Sequence, residues 1–467
     1  MSIGVYFVSL GCPKNLVDSE VMLGCLSEGP YHRVSEPEQA EVIIVNTCAF
    51  IEASQKESID LIFEMAHWKE EGRCRLLVAS GCLPQRYPSE LEKLLPEVDL
   101  FVGTGQYHRI RELLEKDPLA SRSYIDQPAF IHTEKNERVH TGALYRAYLK
   151  ISEGCNRRCS FCIIPKLRGN VRSRTVSSLV TEAEGMAKRG VRELNLVAQD
   201  LSEYGMEWKY RERLETLLPA LCRVQGIEWI RLHYLYPDAF SEELLEIVAR
   251  EPKIVKYLDM PIQHTCDRVL KMMNRRLTRS RLFELVENIR KKIPSMVFRT
   301  SIIVGFPGET QEEFEMLCRD LMELRLDYVG VFSYSQEDGT PAAELGQQIH
   351  PQTKRKRLRI LTELLEQNAL EQQKKYLKKR APALIEGVCA ETDALLEARL
   401  ASQAEKIDGR VLINDLELLD PSEQKLLRAG DFVEVEITEV LPYDLVARVT
   451  RVLQPYRFAA EYDLSVT

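Results

Sequence analysis

Three cysteines fall within eight residues at Cys155, Cys159 and Cys162, spaced CxxxCxxC, with the aromatic Phe161 directly before the last of them. Three thiolates can ligate three irons of a four-iron cluster and leave the fourth open. A cluster held by four cysteines passes electrons, whereas an open iron can bind a substrate. Structural zinc asks for four ligands, usually in two close pairs, yet neither Cys nor His follows Cys162 until Cys222. A disulfide framework is excluded by density, because 12 cysteines in 467 residues is far from a small secreted scaffold. The opening Met1-Ser-Ile-Gly reads as a chain without a secretory leader. A 4Fe-4S site at 155–162 is therefore the expectation.

The elements that must carry this motif show in the apolar runs. Residues 5–10, 42–45, 76–79 and 100–102 are short apolar stretches, each followed by a helical or turn-rich one, the pattern of an open parallel α/β sheet. Cys12, Cys48 and Cys82 each stand just beyond one of the first three runs, and in such a sheet the carboxyl ends share one crevice. Gly11, Ala49 and Gly81 beside them let backbone approach a bulky group. Cys25, Cys74, Cys222, Cys266, Cys318 and Cys389 stand at no such place and read as packed thiols.

Six further runs, at 147–151, 194–198, 229–235, 257–261, 298–304 and 328–334, alternate with helix-length segments. That is a partial (β/α)6 barrel, with the cysteine motif in the loop after its first strand. The other strand ends carry Gln199 and Asp200, Tyr234 and Tyr236, Gln263 and His264, then Gly305-Phe306-Pro307-Gly308-Glu309. The last is a turn into a helix capped by Thr310. From Thr353 a long basic helix reads as a solvated linker, and after Pro382 short β segments at 411–413, 432–437 and 445–452 suggest a small β-barrel. The expected divisions are 1–125, 140–352, 353–380 and 381–455. Composition is ordinary for a globular chain, at 45% hydrophobic and 29% charged, with no apolar run long enough to span a membrane. A cytoplasmic location is expected, where thiols stay reduced.

The motif, continued through Ile163-Ile164-Pro165 and Arg168-Gly169-Asn170-Val171-Arg172-Ser173-Arg174, resembles the radical S-adenosylmethionine (SAM) superfamily and in particular its methylthiotransferase branch. The resemblance implies that Cys155, Cys159 and Cys162 hold a cluster that binds and reductively cleaves SAM to a 5′-deoxyadenosyl radical. It implies that Cys12, Cys48 and Cys82 hold a second 4Fe-4S cluster, which carries the sulfur to be methylated and inserted. Phe161, Gln199, Asp200, Gly305 and Gly308 become the expected surroundings of SAM, and the C-terminal barrel a TRAM module.

Two features bear on the substrate. The stretch Ser9–Glu20, with Pro13-Lys14 where transfer-RNA enzymes typically have Gln-Met, resembles the branch that modifies the β-carbon of an aspartate in the twelfth small-subunit ribosomal protein. TRAM modules are described as RNA binders, yet 381–450 holds 15 Asp and Glu against 6 Lys and Arg. Such a surface repels phosphates and attracts a basic protein. The expected partners are that ribosomal protein and an external electron donor, with no membrane and no RNA contact through the acidic module. The weighed alternatives are a transfer-RNA adenosine methylthiotransferase and a non-catalytic iron-sulfur carrier or scaffold.

Overall fold

The computed structural model describes residues 2–116, 121–209 and 212–456. Its first layer is a six-stranded parallel sheet in the order β2-β1-β3-β4-β5-β6, formed by β1 (Ile3–Ser9), β2 (Tyr31–Arg33), β3 (Val42–Thr47), β4 (Leu76–Gly81), β5 (Leu100–Gly103) and β6 (Ser123–Tyr124). Every residue of β3 is buried, as a central strand covered on both faces requires. Sequence patterning finds the four interior strands and misses β2 and β6, edge strands of three and two residues that carry little apolar signal.

The middle of the chain forms a second parallel sheet, β14-β13-β12-β11-β10-β7, rolled into a partial barrel. Its strands are β7 (Arg146–Lys150), β10 (Glu193–Val197), β11 (Trp229–Leu232), β12 (Ile254–Asp259), β13 (Val297–Val304) and β14 (Tyr328–Ser333); the short ribbon β8 (Ser152–Glu153) and β9 (Arg172–Ser173) flanks the cysteine loop. One apolar core joins these strands to their helices, with Leu149, Leu194, Leu196, Leu232 and Leu258 wholly buried. Strand β11 ends three residues before its apolar run does, because Tyr234 turns the chain at φ +60°. The expected cap at Thr310 is a reciprocal capping box, Thr310 Oγ1 accepting from Glu313 N (3.2 Å) and Glu313 Oε2 from Thr310 N (2.9 Å).

The helix Pro351–Gln373 is more than the solvated linker its basic runs suggest. Leu361 and Leu365 enter the barrel core and Arg357 is buried against Glu309 (2.8 Å), while Arg355 and Lys356 remain exposed. It forms one wall of the barrel as well as the connection onward.

Strands β15 (Arg380–Val388), β16 (Leu396–Leu400), β17 (Val411–Asp415), β18 (Phe432–Val440) and β19 (Leu445–Gln454) close a small barrel in the order β15-β16-β17-β19-β18. It docks on the N-terminal ends of the central strands. Trp229, Tyr257, Val297 and Tyr328 pack there against Leu384, Ala404 and Phe432. Arg399 and Arg231 share the buried Glu193 carboxylate, and Arg146 meets Glu386 and Glu405. The small barrel thus forms a floor on the side away from the cysteine loop. No helix among the described residues is long and apolar enough to cross a membrane.

Candidate catalytic face between two cysteine sets

The C-terminal ends of the central strands face the carboxyl edge of the first sheet, and the two cysteine sets stand on either side of that seam. In the first sheet, strand register pairs Ser9 with Asn46 and Thr47 with Gly81. Cys48 and Cys82 are therefore the next residues on adjacent strands, and Cys12 caps the helix Pro13–Ser27 after the turn that leaves β1. Gly11 makes the approach possible: at φ +83°, a Cβ on it would lie 2.7 Å from Cys48 Cβ and 2.9 Å from its Sγ. Asn15 ties the loops together, donating from Nδ2 to Leu10 O (2.8 Å) and Thr47 O (3.2 Å). Cys12 and Cys48 are half-buried, and Cys82 is buried.

On the barrel side, Cys155 N donates to Gly169 O (3.1 Å) and Cys162 N to Cys159 O (3.1 Å), folding the motif back on itself. The short helix Ile164–Arg168 then leaves the loop and crosses the seam. Ile163 and Leu167 enter the apolar core of the first sheet beside Cys82, Leu83 and Ala49. Arg168 Nη2 reaches Cys82 Sγ (3.5 Å) and Asn15 Oδ1 (2.9 Å). The segment 162–168 thus begins at one cysteine set and ends on the other.

Beneath it lies a buried charge cluster. Lys150 binds Asp18 and Glu153, and Arg168 binds Asp18 and, at 3.4 Å, Glu153. Burial would neutralise Glu153, but Lys150 and Arg168 hold its pKa down at about 2. The sequence flagged β7 only as the strand before the motif, and nothing in it singled out Lys150 or Asp18, whose 132-residue separation hides the contact. Their only local sign is a charged residue inside or beside an apolar pattern.

The residues expected around SAM gather on the same face in a different division of labour. Gln199 Oε1 accepts from Gly154 N (2.8 Å) and its Nε2 donates to Glu153. Asp200 accepts from Arg157 Nε (2.9 Å) and Ser202 N (2.9 Å). Both carboxamide and carboxylate therefore brace the loop that bears the cysteines. Phe161 packs in a small apolar cluster with Phe306, Met273 and Tyr334. Gly305 (φ +72°) lies under Lys354, whose Cγ would meet an added Cβ at 2.6 Å, and Gly308 (φ +76°) donates to Gln347 O (3.0 Å). His264 lies wholly buried near this segment, with Nδ1 accepting from Cys266 N (2.9 Å) and Nε2 without a partner. Burial lowers its pKa to about 4, so it is a neutral structural ring.

The donor chemistry of the two sets fits thiolate-ligated clusters. Burial, with the neighbouring Cys48 and Cys12, pushes Cys82 up to about 11 against the Arg168 field, and burial with Cys159 pushes Cys162 up to about 12. Burial also drives Cys155 well above the ordinary thiol range, followed by the effect of Glu203. Such thiols ionise when a cationic metal core returns the cost. No group of three or more His, Cys, Asp or Glu among the described residues is arranged to hold a single metal ion. The ligands of a cluster each bind a different iron and need not converge on one point.

Comparison with known proteins follows the same three parts. Residues 4–103 match the uncharacterized protein family UPF0004, residues 149–321 the radical SAM superfamily and residues 379–450 the TRAM domain. Ribosomal protein uS12 methylthiotransferase RimO from Anaeromyxobacter sp. (strain Fw109-5) is 48% identical over 95% of this chain and 93% of its own length. The proteins of the same name from Myxococcus xanthus (47% identity, 95% and 91% coverage) and Geobacter sulfurreducens (44%, 95% and 98%) are similarly related. Among solved structures, the radical S-adenosylmethionine methyltransferase TsrM from Kitasatospora setae, with cobalamin and a [4Fe-4S] cluster bound, shares the fold at a TM-score of 0.54 and 15% identity, over 73% of this chain and 77% of its own. With identity near one half over almost its whole length, the chain belongs to the RimO family of radical SAM methylthiotransferases.

Proposed function

We propose that this enzyme adds a methylthio group to the β-carbon of an aspartate in ribosomal protein uS12, using SAM and two 4Fe-4S clusters. Cys155, Cys159 and Cys162 would hold one cluster, and Cys12, Cys48 and Cys82 the other. The observation that carries this reading is the helix Ile164–Arg168, which leaves the barrel cysteine loop and delivers Arg168 to Cys82 Sγ at 3.5 Å. When bound, the groups supply one-electron SAM cleavage to a carbon-centred radical, and a sulfur that takes a methyl group from a second SAM. An unactivated C–H bond has no useful acidity, so no side chain here could open it by proton transfer, and cofactor chemistry must.

The chain's own residues orient and enclose. Gln199 and Asp200 fix the backbone around the barrel cysteines through Gly154 and Arg157, and Phe161 with Phe306 provides an apolar wall beside the expected SAM position. Gly305 and Gly308 supply the left-handed backbone that their turn takes under Lys354 and beside Gln347. Ile163 and Leu167, sealed into the first sheet, exclude water from the seam, which protects a radical from quenching. Functionally the chain divides at 1–125, 140–352, 353–380 and 381–455.

The acidic C-terminal module favours a basic protein over RNA, since like charge repels phosphate. Its place on the barrel floor supports a steering role over holding the acceptor side chain. Reduction of the clusters needs an external electron donor, and the reaction belongs in the cytoplasm with the ribosome. The test is competition: anaerobically reconstituted, reduced enzyme receives SAM, uS12 and transfer RNA together. A methylthio mass gain on a uS12 aspartate is expected, and a gain on transfer-RNA adenosine with none on the protein would refute the assignment.

A further inference from the structure

Six arginines are buried among the described residues: Arg168, Arg174, Arg231, Arg275, Arg357 and Arg399. Five meet a carboxylate, namely Asp18, Glu182, Glu193, Glu309 and Glu193 respectively. Arg275 is the exception. Its Nη2 donates to Pro261 O (2.5 Å), its Nη1 to Cys159 Sγ (3.7 Å), and its Nε has no partner. The guanidinium stacks on Tyr236 at 4.0 Å, and Arg157 stands 4.0 Å from the same ring. Arg157 is held by Asp200 (2.9 Å), Asp238 (3.4 Å) and Glu203 (3.8 Å), whereas no carboxylate among the described residues pairs with the Arg275 guanidinium. A buried cation beside a second cation is strongly unfavourable unless an anion completes the site.

The backbone around Arg275 is fastened to the cysteine loop. Asn274, turned at φ +57°, donates from Nδ2 to Arg158 O (2.6 Å). Ser160 N donates to Met273 O (3.0 Å), and Ser160 Oγ to Met272 O (2.8 Å). The turn 272–275 therefore clasps residues 158–160 on both sides of Cys159, and its final residue aims a fixed positive charge at that sulfur. A 4Fe-4S core held by three thiolates is anionic and becomes more so on reduction, and hydrogen bonds to its sulfurs raise the potential.

We propose that Arg275 is the built-in counter-charge of the barrel cluster, a positioning residue that donates to the Cys159 thiolate and stabilises the reduced state so that an external donor can fill it. The inference rests on the assignment of Cys155, Cys159 and Cys162 as ligands, and the experiment separates the two. In full-length protein carrying Cys12→Ala, Cys48→Ala and Cys82→Ala, only one cluster should assemble, and its midpoint potential is measured by spectroscopic titration without SAM. Arg275→Met is expected to lower the reduced fraction at fixed applied potential about tenfold, which is 59 mV for one electron. Arg275→Lys, retaining charge without the fork, should stay within about threefold of the parent, since a point charge keeps most of the field.

An unmoved potential in Arg275→Met with full iron content would overturn the proposal, because the missing anion would then be another group. A tenfold loss in Arg275→Lys at full iron content would also overturn it, since charge would not be the cause. Should Arg275→Met fail to take up iron, Arg275→Gln supplies the same neutral comparison. Absence of one cluster's iron in the parent protein would instead refute the ligand assignment, and the proposal with it.

Discussion

The two cysteine sets reach the same face by opposite routes. Cys155, Cys159 and Cys162 are neighbours in sequence, and their loop is braced from outside by Gln199, Asp200 and the turn 272–275. Cys12, Cys48 and Cys82 are separated by 36 and 34 residues and come together only because β1, β3 and β4 lie side by side in register. The first set is a motif that needs a mount. The second is a product of the fold itself, and is as secure as the sheet that makes it.

The sharpest break in the comparison comes from removing the proposed ligands. Replacing Cys155, Cys159 or Cys162 by Ala should reduce SAM-dependent 5′-deoxyadenosine release to background, whereas Ala at Cys12, Cys48 or Cys82 should spare release and abolish sulfur insertion. Equal cleavage defects in both groups would end the division of labour. Next in size, Gly11→Ala attacks the fold-made set alone, because its new Cβ meets Cys48 at 2.7 Å in a left-handed backbone. Iron analysis should fall toward one cluster per chain with SAM cleavage retained; unchanged iron would mean that this turn has slack.

The seam between the sets can be tested through Asp18, which neutralises both Lys150 and Arg168 in a buried site. Asp18→Asn leaves two buried cations facing one Glu153 and should cost about 3–5 kcal/mol in denaturant unfolding. A cost under about 1 kcal/mol, the value of an exposed pair, would place the cluster in water.

Acid sensitivity sharpens the barrel side. Neutral His264 has a folded pKa near 4, below the unfolded value of 6.5, so below pH 6.5 the unfolded chain binds a proton that the folded chain refuses. Stability should therefore be lost as pH falls from 6.5 toward 4, by about 3 kcal/mol from this residue. His264→Asn, which keeps an acceptor for Cys266 N, should flatten that part of the pH–stability curve. An unchanged slope would assign it to the other buried histidines, His132 and His233, which burial also holds below the ordinary value.

The smallest effect is expected from the floor. Asp393, Glu417 and Glu439 are exposed. Reversing all three to Lys should leave kcat unchanged and lower kcat/KM for the basic protein by a few-fold at low salt, vanishing as salt rises. A fall in kcat would show that the module reaches the catalytic face after all.

Much of this arrangement was legible in the residues. The four interior strands of the first sheet and all six of the barrel appear as runs with an apolar majority, because strands covered on both faces keep only those polar side chains that find partners, as Glu193 and Asn195 of β10 do. The strand-end positions of the dispersed cysteines follow from those runs. The short edge strands β2 and β6 were hidden, as were β15, interrupted by Pro382, and β16, broken by Glu397 and Arg399. The helix Pro351–Gln373 misled for a related reason: its basic residues advertise solvent, while Arg357 turns inward to a carboxylate that no local pattern reveals.

What the residues alone determined is the chemistry on offer: three thiols at the CxxxCxxC spacing, three more at strand ends, and a family signature between them. These are local properties, fixed by separations of a few residues or by a repeating period, and survive without knowledge of neighbours. The tertiary structure alone decided which charges meet. It set Arg168 against Cys82, aimed Arg275 at Cys159 and placed the acidic module under the barrel instead of over it. Charge compensation in a buried site depends on partners distant in sequence, as with Asp18 and Lys150, and only the folded chain brings them within reach of each other.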